Sequence, residues 1–408
     1  MDYIERVKEH KCGGKYMCKT YGCQMNAHDS EKLSFMLEKM GFEKCESESD
    51  ADIIIFNTCC VRENAENRVF GNLGFLKNIK KNKKDFKIAL CGCMTQQGTI
   101  IEKIKQSYGF VDIIFGTFNL AEFPRLLFQS YKTGEQIIDI WEKHEGIDEL
   151  DYVPERRFQA DVNIMYGCNN FCSYCIVPYV RGRERSRPVG DIIREIEKLA
   201  DSGIKEVTLL GQNVNSYGNN LDDDGKKVSF PELLSIVNEI DGIERIRFMT
   251  SHPKDVSDEL IQALTLKKVC KHFHLPVQSG SDKILAAMNR KYTKNHYLGL
   301  AAKIKKTVPN IALTTDIIIG FPGETEQDFL DTLDVVKTVR FNGAFTFYYS
   351  PRTGTPAASM PEQVSADAAK ERFEKLLEAV NEIAFEINKS YENKVFDVLV
   401  ESEKNGIL

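Results

Sequence analysis

Short apolar runs rich in β-branched residues alternate with amphipathic helical segments along most of the 408-residue chain. This alternation predicts α/β architecture with parallel strands and crossover helices. Strands are expected at 15–21, 52–57, 86–90 and 111–115, and then at 160–165, 206–210, 245–249, 271–274, 312–319 and 344–349. Parallel sheets bind their ligands at the carboxyl ends of the strands, so the residues after each strand are the candidates for a site.

The spacing of these segments predicts three folded parts and two connections. After a leader at 1–14, residues 15–131 are expected to form a doubly wound parallel α/β domain. Residues 132–153 are polar and acidic and are interpreted as a linker. Six βα units at 154–390 predict an open (βα)6 barrel, a partial TIM-type barrel with its site at the carboxyl-end rim. The alternating run 394–401 predicts that 391–408 begins a small β-barrel.

Composition narrows the class of protein. No apolar run approaches the ~20 residues that span a bilayer, so a cytoplasmic protein without a membrane partner is expected. The formal net charge of -6 argues against indiscriminate binding of nucleic acid. Because disulfides are rare in the cytoplasm, the 12 cysteines indicate metal or redox chemistry.

Three of these cysteines lie in one loop after the first strand of the barrel. Cys168, Cys172 and Cys175 are separated by three and two residues, so their thiolates can all point inward from one tight turn. Three thiolates suit a [4Fe-4S] cubane that keeps one iron free of protein ligands. Such an iron can chelate the amino and carboxylate groups of S-adenosylmethionine. A zinc knuckle without its fourth ligand, or a chance grouping, is the alternative.

A second set of cysteines follows three different strands of the first domain. Cys23, Cys59 and Cys93 each lie at a predicted strand end, where the fold would bring them together. This pattern predicts a second three-thiolate site. Cys60 directly follows Cys59, and the local pattern does not decide between the two. Cys91 lies inside an apolar run and is expected to point into the core.

The remaining strand ends of the barrel are polar or rich in glycine, as a site for a polar cofactor requires, although any turn has a similar composition. Four arginines follow the cysteine loop at alternating positions, and an extended segment would project them to one side for phosphate contacts. These are Arg181, Arg183, Arg185 and Arg187. They are the candidate RNA-binding residues, together with Arg352.

Several motifs resemble those of the methylthiotransferases, a branch of the radical S-adenosylmethionine superfamily. They are GCQMN at Gly22, NTCCVRENAE at Asn57, GCM at Gly92, GCNNFCSYCIVPYVRGRERSRP at Gly167, LLGQNVNSYG at Leu209, HLPVQSGSD at His274, TDIIIGFPGET at Thr315 and YSPRTGTPA at Tyr349. VRENAE and HLPVQSGS are most similar to the members that add a methylthio group at C2 of N6-isopentenyladenosine next to the anticodon of tRNA. The resemblance extends from Lys15 to Leu408.

The resemblance implies two [4Fe-4S] clusters, a radical one on Cys168, Cys172 and Cys175 and an auxiliary one on Cys23, Cys59 and Cys93. It also implies that Tyr174 packs on the adenine of S-adenosylmethionine and that further loop residues line its pocket. These are Gly211, Gln212, Asn213, Gln278, Ser279, Gly320, Pro322, Gly323 and Glu324. A tRNA-binding TRAM barrel is implied at the carboxyl terminus, where the family's module would continue past Leu408.

The implied partners are the tRNA substrate, a flavodoxin- or ferredoxin-like electron donor and a sulfur source that the sequence does not identify. A monomer is expected. Three alternatives stay open. One is a sister methylthiotransferase that acts on threonylcarbamoyladenosine or on a ribosomal-protein aspartate. Another is a non-enzymatic iron-sulfur or zinc RNA-binding protein, and the third is a radical enzyme whose second cluster only transfers electrons.

Overall fold

The computed structural model describes residues 2–11, 13–60, 63–83, 85–143, 150–221 and 227–402, without the side chains of 63–65. The chain divides into two compact units. The first comprises Met1–Glu155 and Ile176–Arg183, and the second comprises Arg156–Cys175 and Glu184–Leu408. Among the described helices, none is long and apolar enough to cross a membrane.

The first unit is built on a six-stranded parallel sheet in the order β2-β1-β3-β4-β5-β6. Its strands are β1 (Gly14–Tyr21), β2 (Phe42–Lys44), β3 (Ile53–Thr58), β4 (Lys87–Cys91), β5 (Ile113–Phe115) and β6 (Ile137–Asp139). Its helices are α1 (Tyr3–Lys11), α2 (Gln24–Lys39), α3 (Glu63–Asn82), α4 (Gly98–Ser107), α5 (Phe123–Thr133) and α6 (Val177–Val180).

Hydrophobic cores cover both faces of this sheet. Ile53 and Ile55 pack with α2 and α5 residues on one face, and Ile54 and Phe56 pack with α3 and α4 residues on the other. Successive side chains of a strand point to opposite faces, so a strand buried on both sides reads as a continuous apolar run. Cys91 lies in the first of these cores, as expected. The doubly wound domain predicted from the sequence is therefore confirmed.

Two boundaries of the first unit differ from the sequence prediction. The leader is in fact α1, whose Val7 is buried in the core. The supposed linker supplies β6, which pairs with β5, while residues 144–149 of that stretch lie outside the described residues. Both segments are short and strongly polar, so their few apolar residues gave no periodic signal. The sequence also predicts a helix from residue 62 to about residue 80; α3 covers Glu63–Asn82, and residue 62 lies outside the described residues.

The second unit contains the six predicted parallel strands, with short additional pairs. Its strands are β7 (Gln159–Asn163), β8 (Met165–Tyr166), β9 (Arg185–Ser186), β10 (Glu206–Leu210), β11 (Arg245–Phe248), β12 (His272–His274), β13 (Ala312–Ile319) and β14 (Gly343–Tyr348). Its helices are α7 (Val189–Asp201), α8 (Phe230–Asn238), α9 (Asp258–Ala263), α10 (Asp282–Ala287), α11 (Lys294–Thr307), α12 (Glu326–Val339) and α13 (Ala366–Lys389).

The order of pairing makes this unit an open barrel. β7, β10 and β11 form one parallel sheet, and β12, β13 and β14 form another. A parallel bridge between Ile246 and Val269 joins the two sheets in sequence order. Crossover helices follow the strands, as in a partial TIM-type barrel. β8 and β9 form a small antiparallel ladder beside the first strand.

The carboxyl-terminal segment does not form the predicted strand. Residues 394–402 contain no strand, and the Val395 and Val398 side chains are exposed. A strand requires a neighbouring strand for its backbone hydrogen bonds, and none of the described strands pairs with this segment. The rest of the predicted barrel segment, 403–408, lies outside the described residues.

Candidate functional site

The loop of Cys168, Cys172 and Cys175 follows β7 and β8 and is held in a strained conformation. Gly167 and Phe171 have positive φ angles of 77° and 46°. The backbone N–H of Cys175 donates to the carbonyl of Cys172 (2.9 Å), which closes a turn between the last two cysteines. Cys172 is buried, and its two partners are partly exposed. One short loop therefore carries all three thiols.

The segment after α10 anchors this loop. The Asn289 side-chain amide donates to the carbonyls of Asn170 (3.3 Å) and Phe171 (2.9 Å). The Arg290 guanidinium donates to the Cys172 sulfur and to the Tyr174 hydroxyl, both at 3.4 Å, and to the Pro276 carbonyl at 2.9 Å. Asn289 and Arg290 belong to none of the motifs that indicated the site. Their signal was weak, since it consisted only of polar residues just beyond a helix end.

The next two strand ends present buried polar atoms that have no hydrogen-bond partner among the described residues. They are Oδ1 of Asn213, Oδ1 of Asn215 and Nε2 of His252. The Nδ1 of His252 accepts from the Lys254 backbone, so in the neutral ring Nε2 carries the hydrogen. An unpaired buried polar atom costs about 1–3 kcal/mol. A polar cofactor such as S-adenosylmethionine fits these atoms because its amino, carboxylate and ribose groups would pair with them.

The predicted pocket residues fall into two groups. Asn213 presents its free oxygen, and Tyr174 packs against a core cluster that includes Met288 and Phe321. Gly211 is needed for packing, because a Cβ there would lie 2.6 Å from Cγ of Met165. Gln212 is half-buried beside them. The first group therefore lies around the rim beside the cysteine loop.

In the second group, the polar side-chain atoms contact other residues of the protein. The Glu324 carboxylate accepts from the Gly320 backbone (3.2 Å) and from Arg372 (2.9 Å). The fully buried Ser279 hydroxyl lies 3.4 Å from that of Thr332 on α12. These two side chains shape the loops and do not present a free polar group to a cofactor. The backbones of Gln278, Pro322 and Gly323 remain candidates for lining the pocket.

Three adjacent strands of the first unit place the second set of cysteines. Cys23 precedes α2 and is separated from β1 by Gly22. Cys59 immediately follows β3, and Cys93 is separated from β4 by Gly92. The sequence pattern predicts a helix from Asp29 to Met40, but α2 begins at Gln24, so Cys23 is its N-cap. A helix N-terminus stabilises negative charge, which suits a thiolate ligand. The carboxyl ends of β1, β3 and β4 thus carry three thiols along one sheet edge.

Cys60 complicates this set, because its thiol hydrogen-bonds the Cys93 sulfur. That bond, with the nearby Arg181, lowers the pKa of Cys93 to about 6, although burial opposes the shift. The same bond raises the pKa of Cys60 well above its usual value. Cys93 is therefore the more acidic thiol of the pair. Both Cys59 and Cys60 are buried, and their positions alone do not distinguish which one would ligate a cluster.

Among the described residues, no three metal-binding side chains converge on a single point. A cubane differs from a single metal ion because each cysteine ligates a different iron, and its ligands therefore stay farther apart. The donor chemistry fits such a cluster at both places, with three thiols on one loop and three at adjacent strand ends. Burial raises the pKa of the Cys168 thiol to about 11, so the iron itself would have to stabilise that thiolate.

The expectation that four arginines project to one side is wrong. Arg181 is buried against Cys93 and Asp29, and Arg187 is buried with a contact of 2.6 Å to Glu195. The segment is extended only at β9, so the alternation of the arginines does not continue in space. Arg183 is exposed, while Arg185 and Arg352 are partly exposed, which leaves these three as candidates for phosphate contacts.

Burial of His252 makes the free energy of unfolding depend on pH. Desolvation holds its pKa far below the usual value, so the folded state keeps the ring neutral while the unfolded chain binds a proton below about pH 6.5. Stability therefore falls as pH drops below that value. We expect His252→Gln to remove about 1.4 kcal/mol of the loss in unfolding free energy between about pH 7.5 and 5.5, measured by urea unfolding. The exposed His296→Gln is the control, and an unchanged pH dependence in His252→Gln would contradict this view.

Comparisons with known proteins agree with this architecture. Residues 162–336 match the model of the radical SAM superfamily, and residues 15–116 match that of the Uncharacterized protein family UPF0004. The curated tRNA-2-methylthio-N(6)-dimethylallyladenosine synthase of Alkaliphilus oremlandii is 57% identical over 406 residues, which cover 98% of this chain and 85% of the relative. The enzyme of that name from Clostridioides difficile is 54% identical, covering 99% and 84%.

Solved structures support the fold. The radical S-adenosylmethionine methyltransferase TsrM of Kitasatospora setae superposes with a TM-score of 0.61 at 13% identity, covering 85% of this chain and 77% of that one. The cobalamin-dependent radical enzyme OxsB gives a TM-score of 0.54 at 13% identity, covering 92% and 57%. At such low identity these similarities concern the fold alone. From its identity to the curated relatives, the chain belongs to the tRNA-2-methylthio-N(6)-dimethylallyladenosine synthase family of radical SAM enzymes.

Proposed function

We propose that this protein is a tRNA-modifying methylthiotransferase that replaces the hydrogen at C2 of N6-isopentenyladenosine, next to the anticodon, with a methylthio group. The observation that carries the proposal is the pair of three-cysteine sets, one at the first barrel strand and one at three adjacent strand ends of the first unit. The names of its relatives support the substrate.

The chemistry explains why cofactors are required. The C2–H bond of adenine is neither acidic enough nor electrophilic enough for a thiolate to displace hydrogen. When bound to Cys168, Cys172 and Cys175, an iron-sulfur cluster supplies an electron to S-adenosylmethionine and thereby a radical able to attack such a bond. A cluster held by Cys23, Cys59 and Cys93 would supply the sulfur. A flavodoxin- or ferredoxin-like protein is the proposed electron donor.

The protein's own residues orient the reactants. Asn289 and Arg290 hold the cysteine loop through hydrogen bonds, so the loop does not have to rearrange when a cluster binds to its thiols. Asn213, Asn215 and His252 would bind the polar end of S-adenosylmethionine through their unpaired atoms. Tyr174, packed at its edge by Met288 and Phe321, would lie against the adenine. Each contact restricts the cofactor to one orientation relative to the loop.

An aromatic pair on β14 supports a nucleobase substrate. Phe345 and Phe347 are 55% and 42% exposed, and they pair in register with Asp316 and Ile318 on the neighbouring β13. Ile318 and Tyr174 pack against the same core cluster, which includes Met288 and Phe321. Exposed aromatic rings stack on bases and would also cover an isopentenyl group. We place the substrate adenine on this face, where the Asp316 carboxylate, whose Oδ2 lies 3.4 Å from Nε2 of His274, would accept the N6–H through Oδ1.

This placement predicts the effect of removing one ring. Because stacking of one base contributes about 1–3 kcal/mol, Phe345→Ala should raise KM for isopentenylated tRNA about tenfold or more. Phe75→Ala, which removes an exposed ring from α3 in the first unit, is the control. Steady-state kinetics with the anticodon stem-loop would check this. An unchanged KM in Phe345→Ala would show that the base binds to another surface.

The function itself is tested by nucleoside analysis of cellular tRNA. In a strain that lacks the gene, we expect N6-isopentenyladenosine to accumulate and its methylthio derivative to disappear, and the intact gene should restore the derivative. Mass spectrometry of digested tRNA separates the two nucleosides. Persistence of the methylthio-isopentenyl product without the gene would refute the assignment, and loss of a threonylcarbamoyl derivative would indicate the sister activity.

A further inference from the structure

Arg181 is a buried cation at the sheet edge that carries the second set of cysteines. Its side chain is 5% exposed. The Nε–H donates to the Cys93 sulfur at 3.1 Å, and an Nη2–H donates to Oδ2 of Asp29 at 3.1 Å. One guanidinium therefore joins a thiol to a carboxylate. A phosphate of RNA would have to displace both contacts and reach a side chain with little surface, so an RNA contact does not account for this residue.

The surrounding segment fixes the guanidinium in place. Ile176 and Val180 pack with Cys60 and Cys93 in a small core cluster. The Thr117 hydroxyl donates to the Val180 carbonyl at 2.9 Å, and the backbone N–H of Arg181 donates to the carbonyl of Val177. Arg181 thus directly follows a short anchored helix, α6, which holds its backbone in place. Burying a charge is expensive unless it is paired, so its two partners account for its position.

The charge has a clear electrostatic consequence for an iron-sulfur cluster. A cubane on three thiolates becomes more negative when it gains an electron, and a nearby fixed cation stabilises that reduced state. An N–H donor to a ligating sulfur acts in the same direction, because it withdraws electron density from the sulfur. Asp29 opposes both effects, since its negative charge partly offsets that of Arg181. The two residues therefore affect the reduction potential with opposite signs.

We propose that Arg181 is a positioning residue for the auxiliary cluster, which holds the Cys93 sulfur through its Nε–H and raises the cluster's reduction potential. This rests on the proposed function only in assigning that cluster to Cys23, Cys59 and Cys93. It adds a role for a residue outside both sets of cysteines. It also explains why a cation lies buried beside a thiol at this sheet edge.

The test uses the full chain carrying Cys168→Ala, Cys172→Ala and Cys175→Ala, so that all bound iron belongs to the auxiliary cluster. Arg181→Gln is added, and the midpoint potential is measured by redox titration followed by electron paramagnetic resonance. We expect a shift to more negative potential. Arg181→Lys, which keeps the charge but not the two-pronged geometry, should shift it less. Arg183→Gln, the exposed neighbour two residues away, should not shift it.

Asp29→Asn should shift the midpoint potential in the opposite direction. Removing the carboxylate leaves the guanidinium uncompensated, so the midpoint should move to more positive potential. If Arg181→Gln binds no iron, the Asp29→Asn variant alone tests the proposal: a shift to more positive potential supports it, and a shift to more negative potential or no shift overturns it. Bound iron with an unchanged midpoint in both variants, or shifts of the same sign, would overturn the proposal. A background protein that binds no iron at all would instead refute the cluster assignment within the proposed function.

Discussion

Replacing Cys23, Cys59 and Cys93 together by alanine should halve the iron of the anaerobically reconstituted protein, from about eight to about four atoms per chain. The variant should still release 5'-deoxyadenosine from S-adenosylmethionine on reduction, because the three-cysteine loop of the second unit is unchanged. It should form no methylthio product, since the sulfur source is lost. The reciprocal variant of Cys168, Cys172 and Cys175 should also keep about four irons but cleave no S-adenosylmethionine.

Cys60→Ala is the matched control for this experiment. Cys60 lies next to Cys59 in the chain and is equally buried, and its thiol contacts Cys93. Full iron in Cys60→Ala, together with loss in Cys59→Ala, would assign the ligand to Cys59. The reverse result would show that the thiol already in contact with Cys93 is the ligand. If the triple variant of the first unit kept all its iron, the auxiliary cluster and the sulfur-donor role would both be wrong.

Gly92→Ala should strongly destabilise the sheet edge that carries the second set of cysteines. Gly92 immediately precedes Cys93 and has a φ angle of 95°, which side chains rarely adopt. A Cβ there would lie 2.5 Å from Asn57 Oδ1 and 2.6 Å from the Thr58 carbonyl oxygen. Backbone strain and overpacking together should lower the free energy of unfolding by about 2–4 kcal/mol.

The same change should damage the auxiliary site selectively. β4 would have to move away from the end of β3, and Cys93 would move with it. We expect Gly92→Ala to lose about half of the iron while keeping the loop cluster of the second unit. Gly74→Ala, at an exposed position of α3, is the control, because nothing lies within 4 Å of its added methyl and alanine is favoured over glycine in a helix by about 1 kcal/mol. Equal stability of the two variants would contradict this account.

The sequence was sufficient for the architecture because buried parallel strands have a strong signal. Runs such as those of β3, β4 and β13 are continuous or alternating apolar segments of five to eight residues, and the structure has all ten predicted strands. β2 and β6 were missed because three-residue strands at the sheet edge carry little pattern. The structure likewise places each of the six cysteines at a strand end or on the loop that the pattern indicated.

What could not be predicted were the roles of polar residues. Alternation placed Arg181 and Arg187 on a surface, but the backbone is not extended there, and tertiary partners bury both side chains. Glu324 lies in a glycine-rich loop typical of a ligand site, yet Arg372 on α13, far along the chain, binds its carboxylate. Arg290 contacts the cysteine loop from more than a hundred residues away. Such contacts depend on side-chain positions that local sequence does not encode.

The most direct test of the central claim is a single-turnover reaction under anaerobic conditions. The reconstituted protein is mixed with isopentenylated tRNA, a chemical reductant and S-adenosylmethionine carrying a deuterated methyl group, and the digested nucleosides are analysed by mass spectrometry. We expect methylthio-isopentenyladenosine with the deuterated methyl group, together with 5'-deoxyadenosine. Release of 5'-deoxyadenosine with no sulfur or deuterium on the base would contradict it, and would leave a radical enzyme with a different substrate.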